Sequence, residues 1–257
     1  VDASDAWFPP NFEGRERAYY TYTLQARKVA MDKYGKHSPE LLFERALDWM
    51  EGVADSPFFL WIDSFQPHEP WAPVSPYREM YGADKHHRYI PMPMGPEIDW
   101  AEDGDLDHIK RLCMSEVTHT DDMVGTVLDR LDDLGLTEDT LLVVLSDHGM
   151  LFGEHDLMRK FYVPLYDELA RVVWIMRKPG LIPEGLRTDA LVQNTDFAAT
   201  ILDWCGIKAP PRETIRGFQG VSGNEDMDGV SLAPLLVGET DAVHERLYNG
   251  AFGMRAS

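Results

Sequence analysis

The sequence predicts an α/β/α sandwich built on a largely parallel sheet. Short apolar runs, which are typical of strands buried on both faces, occur at 57–65, 141–145 and 171–180. Segments with apolar residues at helical spacing alternate with these runs, at 38–53, 105–134 and 194–207. The alternation favours an α/β domain, in which ligands collect beyond the carboxyl ends of the strands.

The first predicted helix covers 38–53, with Ser38 suited to the N-cap and Pro39 to the first helical position. Its predicted buried face consists of Leu42, Ala46, Trp49, Met50 and Val53. The run 57–65, PFFLWIDSF, is predicted to follow as a buried strand because it is short, apolar and bounded by prolines.

The next segment, QPHEPWAPVSPY, is predicted to be a loop because its prolines exclude a helix. It places His68 just beyond the end of the predicted strand. From 74 to 104 the chain is rich in proline, glycine, tyrosine and charge, which predicts a long surface excursion. His86 and His87 in this segment are expected to be solvated.

The second predicted helix, 105–134, has an apolar face and ends at Gly135. That face consists of Val117, Val124, Leu128, Leu131 and Leu134. The unbroken run LLVVL at 141–145 predicts a strand covered on both faces, and 171–180 predicts another. The last predicted helix, 194–207, has four residues spaced to face inward, Phe197, Ile201, Leu202 and Cys205.

Composition excludes some classes of function. The formal net charge is −20 and no run of lysine or arginine occurs, which argues against binding to a phosphate backbone. No apolar run approaches the roughly 20 residues of a membrane-spanning helix. The chain opens on Val1 rather than methionine, so an export signal upstream stays open, and with it a periplasmic, secreted or cytoplasmic location. Cys113 and Cys205 are expected to be buried free thiols, with a disulfide as the alternative.

One group of polar residues suggests a site. Asp147 and His148 directly follow the apolar run that ends at Leu145, so both side chains are expected at the crevice above the sheet. A carboxylate oxygen beside an imidazole nitrogen suits a divalent cation. Lys160 offers a positive charge to an anionic substrate oxygen, and His68 a proton or hydrogen bond to a leaving group. Together they favour an ester of a tetrahedral oxyanion.

Simpler interpretations exist for each of these residues. An Asp-His pair at a strand end is often a turn with a satisfied histidine, since aspartate favours turns. His68 alone in a proline-rich loop would be a surface residue more often than a catalytic one, and Lys160 alone carries no signal. His155 is close enough in sequence for a supporting role. The functional interpretation rests on two predicted strand ends and one following loop having compatible chemistry.

Several motifs resemble, in the same order along the chain, those of the sulfatase family of the alkaline phosphatase superfamily. They are PFFLWIDSFQPHEPWAPV, THTDDMVGTVLDRLDDLGLTEDT, SDHG followed by GEH and a lysine, LARVVWIMRKPG, NTDFAATILDWCGI and DGVSLAPLLVGE. The resemblance covers most of residues 55–240 and implies an alkaline-phosphatase-like fold.

The resemblance implies roles for individual residues. Asp147 and His148 would be metal ligands, Lys160 would bind the sulfate, and His68 would assist the leaving oxygen. The metal would be Ca²⁺, with Mg²⁺, Mn²⁺ or Zn²⁺ as alternatives. Many sulfatases have asparagine where this chain has His148, so a phosphodiesterase or a phosphonate monoester hydrolase of the same superfamily is an alternative function.

One element of the family pattern is missing from the chain. Sulfatases use a cysteine or serine, converted to formylglycine, in a Cys/Ser-x-Pro-x-Arg motif, and neither Cys113 nor Cys205 fits it. The resemblance therefore implies a chain truncated at both ends, with a partial catalytic domain at 1–240 and the start of a C-terminal subdomain at 241–257. Such a chain is expected to be inactive alone, and a non-catalytic binding module is a further alternative.

The expected partner is a sulfate ester of a small molecule or carbohydrate. No nucleic-acid partner and no membrane span are expected, and the oligomeric state stays open.

Overall fold

The computed structural model describes residues 6, 15–93, 95–160, 164–208, 229–251 and 254–256. The chain forms two compact units. The first comprises Val1–Thr137 and Met150–Val163, and the second Glu138–Gly149 and Pro164–Ser257. Over the described part of the chain, every helix is too short or too polar to cross a membrane.

The helices and strands follow the predicted order in most places. In chain order they are α1 (Arg15–Tyr34), α2 (Ser38–Val53), α3 (Tyr77–Met80), α4 (Asp105–Asp133), β1 (Leu142–Leu145), β2 (Leu151–Phe152), β3 (Met158–Arg159), α5 (Asp167–Ala170), β4 (Trp174–Arg177), α6 (Asp196–Trp204), α7 (Ala233–Leu236), β5 (Asn249–Ala251) and β6 (Met254–Ala256). The three predicted helices correspond to α2, α4 and α6, and two of the predicted strands correspond to β1 and β4.

The core of the first unit contains residues from segments that are distant in sequence. Its buried members are Trp71, Ala83, Tyr89, Ile90, Ile109, Leu112 and Met158. The prediction that 74–104 is a surface excursion is therefore wrong, because Tyr89 and Ile90 are buried. Prolines exclude regular structure but not burial, since a proline has no N–H group that would need a partner.

Asp105, the first residue of α4, connects the segment 74–104 to this helix through hydrogen bonds. It is fully buried and accepts hydrogen bonds from His86 Nε2 at 2.7 Å, from the Arg88 guanidinium and from the Glu102 backbone N–H at 2.8 Å. The prediction that His86 is solvated is wrong, because its side chain is only 14% exposed. His87 is exposed, as predicted.

The buried face of α2 differs from the predicted one. Its buried residues are Pro39, Phe43, Ala46 and Met50. Trp49 was expected inside but is 44% exposed. The apolar residues of α2 are spread around more than one side, and packing against α4 selects the side that includes Phe43.

The predicted strand at 57–65 is wrong as a strand. The segment is extended, but it pairs with no other strand in the described ranges. Exposed and half-buried residues alternate along it, and Phe59, Trp61 and Phe65 are 65%, 59% and 47% exposed. Aromatic and β-branched residues favour an extended backbone, but a strand also requires a hydrogen-bonded neighbour.

In the second unit, β1 pairs with β4 in antiparallel register, with Leu142 opposite Arg177 and Leu145 opposite Trp174. All paired strands of the described residues are antiparallel, so the predicted parallel pairing is not observed there. A parallel connection requires a crossover that runs the length of the strands. Among the described residues between β1 and β4, α5 is the one α-helix, and it has four residues.

The predicted burial of this sheet on both faces is also wrong. All four residues of β1 are half-buried, while Val173 and Ile175 in and beside β4 are 54% and 60% exposed. An unbroken apolar run predicts two covered faces only when neighbouring layers are present. Within the described residues, those layers do not cover the sheet.

The buried face of α6 is polar rather than apolar. Asp196 and Thr200 are its buried residues. The Asp196 carboxylate accepts hydrogen bonds from the backbone N–H groups of Gln193 and Val230 at 2.9 Å each, and lies 2.9 Å from His244 Nε2. These contacts connect α6 to segments about 35 and 50 residues further along the chain, which apolar spacing does not predict.

Both cysteines are free, and only Cys113 is mostly covered. Burial, together with the nearby Glu116 and Glu69 carboxylates, raises the pKa of the Cys113 thiol to about 12. Cys205 is exposed, so its predicted burial is wrong. It ends α6, and the inward face of that helix is formed by Asp196 and Thr200 instead.

His108 gives the first unit a predicted dependence on pH. Burial lowers the pKa of this imidazole to about 4, helped by the neighbouring His86 and Arg78. The unfolded chain takes up the proton near pH 6.5 while the folded protein does not. Stability present above that pH is therefore lost as the pH falls from 6.5 towards 4, by up to about 3 kcal/mol. Urea unfolding of wild type and His108→Gln at several pH values across this range measures the effect. If the free energy of unfolding depends on pH as steeply in the variant as in wild type, the prediction is contradicted.

Candidate functional site

In the first unit, Trp71 fixes the loop that carries His68. The Trp71 side chain is fully buried and its indole N–H donates to the Pro67 carbonyl at 2.8 Å. The His68 backbone N–H donates to the Phe65 carbonyl at 2.9 Å, and the two rings stack with centroids 4.3 Å apart. His68 is thereby held in one orientation with its side chain 29% exposed.

The hydrogen bond of His68 assigns its tautomer. Nδ1 lies 2.5 Å from the Glu69 backbone oxygen, which can only accept, so Nδ1 carries a proton. Proton exchange with a substrate then falls to Nε2.

Glu69 lies beside three basic side chains of the first unit. It is fully buried, and its carboxylate oxygens lie 3.4 Å from His68 Nδ1, 3.6 Å from Lys160 Nζ and 3.9 Å from Arg159 Nη2. The structure thus places the predicted residues His68 and Lys160 beside one carboxylate. The sequence reasoning missed Glu69 and Arg159, although an acidic residue between His68 and Pro70 in an apolar loop is a usable signal.

Lys160 follows a short hairpin formed by β2 and β3. Leu151 lies opposite Arg159, and Met158 is fully buried, with its backbone N–H donating to the Pro96 carbonyl at 2.7 Å. The Lys160 side chain is only 6% exposed. His155 lies at the turn of the hairpin and is exposed.

In the second unit, the loop that carries Asp147 and His148 is fixed at two points. The Asn194 amide donates to the backbone oxygens of Ser146 at 3.2 Å and Asp147 at 2.9 Å. The Gly149 N–H donates to the Leu169 carbonyl at 2.9 Å. A Cβ atom at Gly149 would lie 1.9 Å from the Glu168 carbonyl oxygen, so only glycine fits there.

The two predicted metal ligands are oriented as a pair. His148 Nδ1 donates to the Gly149 carbonyl at 2.8 Å, which leaves Nε2 as the nitrogen for a metal. Nε2 lies 3.4 Å from Asp147 Oδ2. Two ligand atoms at about 2.1 and 2.4 Å from one ion, at a right angle, are roughly 3.2 Å apart. The observed separation fits two ligands of a single cation.

Their exposure also suits ligand binding. The side chains of Asp147 and His148 are 84% and 37% exposed. Asp147 Oδ1 accepts the His148 backbone N–H at 2.9 Å, which fixes the direction of the carboxylate.

A second group of potential ligands lies elsewhere in the first unit. His86, His87 and Asp105 have ligand atoms within 4.8 Å of one another. Both oxygens of Asp105 are already engaged, one by His86 and the other by Arg88 and the Glu102 amide. The Arg88 guanidinium beside Asp105 opposes a further cation, so the arrangement is explained as the attachment of segment 86–102 to α4.

The Sulfatase family profile matches residues 5–207. The chain belongs to the sulfatase family. Among curated relatives, this sulfatase chain is 30% identical over 205 residues to the multifunctional alkaline phosphatase superfamily protein PehA of Trinickia caryophylli, covering 65% of this chain and 38% of that protein. It is 27% identical over 248 residues to the N-acetylglucosamine-6-sulfatase of Homo sapiens, covering 87% of this chain and 41% of that protein.

The sulfatase chain therefore spans about two fifths of the length of these two relatives. Among solved structures, it resembles a phosphonate monoester hydrolase from Silicibacter pomeroyi with a TM-score of 0.64 and 23% identity, covering 86% of this chain and 44% of that one. This likeness confirms the predicted alkaline-phosphatase-like α/β fold class.

Gly149 provides a test of how tightly the loop of the sulfatase chain is held. In Gly149→Ala the added methyl group collides with the Glu168 carbonyl, so we expect a loss of about 1–3 kcal/mol in the free energy of unfolding. Gly125→Ala in α4 is the matched control, since nothing lies within 4 Å of its Cβ position. The control is expected to be neutral or stabilised by about 0.5–1 kcal/mol. Urea denaturation compares them, and a Gly149→Ala protein as stable as wild type would contradict the geometry.

Proposed function

We propose that the protein containing this chain hydrolyses sulfate esters with the help of a divalent cation. The observation that carries the proposal is the pair of Asp147 Oδ2 and His148 Nε2, 3.4 Å apart on a fixed loop. Membership of the sulfatase family supports it. The predicted boundary between domains at residue 240 stays a prediction.

Asp147 and His148 are proposed to hold the metal. Ca²⁺ is the first choice, with Mg²⁺, Mn²⁺ or Zn²⁺ as alternatives. A bound cation would supply positive charge that favours an ionised oxygen. Ca²⁺ takes six to eight oxygen ligands, so further ligands must come from groups other than these two side chains.

His68 and Lys160 are proposed to contact the substrate. The Lys160 ammonium group would neutralise an oxygen of the sulfate group, and the buried surroundings of this side chain strengthen that attraction. His68 Nε2 would give a proton to the leaving oxygen, while Nδ1 remains bonded to the Glu69 carbonyl. Both residues are presented by segments that the core holds in place.

The nucleophile is proposed to be a formylglycine outside residues 1–257, because the Cys/Ser-x-Pro-x-Arg motif does not occur in this sequence. When present, its hydrated aldehyde supplies a hydroxyl group for covalent catalysis. The chain of 257 residues is accordingly proposed to be inactive alone.

A carbohydrate sulfate is the proposed substrate class. Support comes from the relative named N-acetylglucosamine-6-sulfatase, which shares 27% identity over 248 residues. The alternative is a phosphodiesterase or phosphonate monoester hydrolase, and His148 favours it, together with the similarity to PehA. A binding module without catalysis is the third candidate.

The test is a paired assay of the protein encoded by the complete reading frame, with 4-nitrophenyl sulfate and a 4-nitrophenyl phosphonate monoester. We expect a higher kcat/KM for the sulfate and a decrease of roughly 100-fold or more in Lys160→Ala and His68→Ala. Lys28→Ala is the control, because Lys28 is an exposed lysine that pairs with Asp32 on α1.

Three results would contradict parts of the proposal. A higher kcat/KM for the phosphonate ester would favour the alternative function. Anion binding without turnover would favour the binding module. Turnover by residues 1–257 alone would show that the nucleophile lies within them.

A further inference from the structure

Phe65 covers one face of the His68 ring. The two ring centroids lie 4.3 Å apart and the ring planes differ by 25°, which is a stacked arrangement. The Phe65 carbonyl also accepts the His68 backbone N–H at 2.9 Å. Two contacts thus join residues that are three positions apart in the chain, one through the backbone and one through the side chains.

The backbone that carries Phe65 is held on its C-terminal side. Gln66 follows directly and is only 8% exposed, and the Pro67 carbonyl accepts the indole N–H of the buried Trp71 at 2.8 Å. The Phe65 side chain is 47% exposed. The ring is thus held in place by its backbone and by the stack with His68 rather than by complete burial in the core.

The stack restrains a motion of His68 that its hydrogen bond allows. Rotation about the Cβ–Cγ bond turns the ring plane and changes the direction in which Nε2 donates. A hydrogen bond weakens steeply only below an angle of about 120°, so the bond from Nδ1 to the Glu69 carbonyl permits part of this rotation. The Phe65 ring opposes it, because turning the imidazole separates the stacked faces. The direction of Nε2 therefore depends on Phe65 as well as on the Glu69 carbonyl.

We propose that Phe65 is a positioning residue, which holds the imidazole of His68 so that Nε2 faces the leaving oxygen of the ester. The inference rests on the proposed function, in which His68 donates a proton to that oxygen. When the bond between sulfur and this oxygen breaks, the electron pair stays on the oxygen, which takes the proton from Nε2, and the imidazole becomes neutral. The new bond at sulfur forms to the proposed nucleophile outside residues 1–257. Phe65 acts through His68 and takes no part in either bond change.

The effect of Phe65 is expected to depend on the leaving group. 4-Nitrophenolate is a stable anion that departs with little protonation, whereas phenolate is more basic and gains more from a proton. Poorer proton donation therefore lowers kcat more for phenyl sulfate than for 4-nitrophenyl sulfate. His68→Ala, which removes the donor, is expected to show this pattern most strongly.

The experiment measures kcat and KM for both esters with the protein encoded by the complete reading frame. In Phe65→Leu we expect kcat to decrease about tenfold for phenyl sulfate and about threefold or less for 4-nitrophenyl sulfate, because a misdirected acid transfers its proton less well. KM is expected to change less than about twofold, because the interaction acts in the transition state. Phe65→Tyr retains an aromatic ring and is expected to keep the wild-type ratio of the two kcat values. Phe59→Leu is the matched control, since Phe59 is a 65% exposed phenylalanine of the same extended segment, and its ratio should equal that of wild type.

The ratio of the two kcat values does not depend on how much of the enzyme is folded, so it separates positioning from folding. Phe65→Met is a second variant without an aromatic ring. An unchanged ratio in Phe65→Leu and Phe65→Met, beside a changed ratio in His68→Ala, would overturn the inference and leave the proposed function intact. The same change of ratio in Phe65→Tyr as in Phe65→Leu would also overturn it, because the aromatic ring would then not matter. An unchanged ratio in His68→Ala would instead overturn the proposed role of His68, and the inference with it.

Discussion

The structure of the first unit depends on the complete burial of Trp71. Its indole N–H donates to Pro67, its backbone N–H donates to Pro91, and its carbonyl accepts the Tyr89 hydroxyl. Its ring also stacks on Phe152 in the hairpin that precedes Lys160. One residue, through its side chain and its backbone, thus joins the His68 loop, the proline-rich segment and the hairpin.

This arrangement explains how loops without regular structure can hold functional groups accurately. The proline-rich loop has no backbone ladder of its own, so packing against the core and a few hydrogen bonds must fix it. His68 and Lys160 lie about 90 residues apart in sequence and meet beside Glu69 because both segments pack on the same core. In the second unit, the Asn194 amide holds the Asp147–His148 loop through a hydrogen bond to the Asp147 carbonyl. Gly149 allows this loop to pack closely against the Glu168 carbonyl, because it has no side chain.

Local signals in the sequence predicted some features well. Helices α2 and α4 have strong apolar spacing and a proline or glycine near one end, and both were predicted closely. Asp147 and His148 were predicted as metal ligands because polar residues directly follow an apolar run, and their role stays a prediction. The predictions failed where the outcome depends on distant neighbours. The strand at 57–65 lacks a pairing partner, and the segment containing Tyr89 and Ile90 is buried despite its polar composition. The position of Glu69 beside Arg159 and Lys160 was not predicted, because these residues approach it only in the folded chain.

The central claim is that Asp147 and His148 bind a divalent cation, and a calcium titration of residues 1–257 tests it most directly. Following the ring nitrogens of His148 by NMR, we expect saturable binding with a Kd in the range of about 0.1–1 mM or weaker, because only two side chains contribute. Binding should disappear in Asp147→Asn and persist in Asp203→Asn, whose exposed carboxylate bonds Ser231 instead. A His148 ring that does not respond to calcium, or a response that survives Asp147→Asn, would contradict the claim.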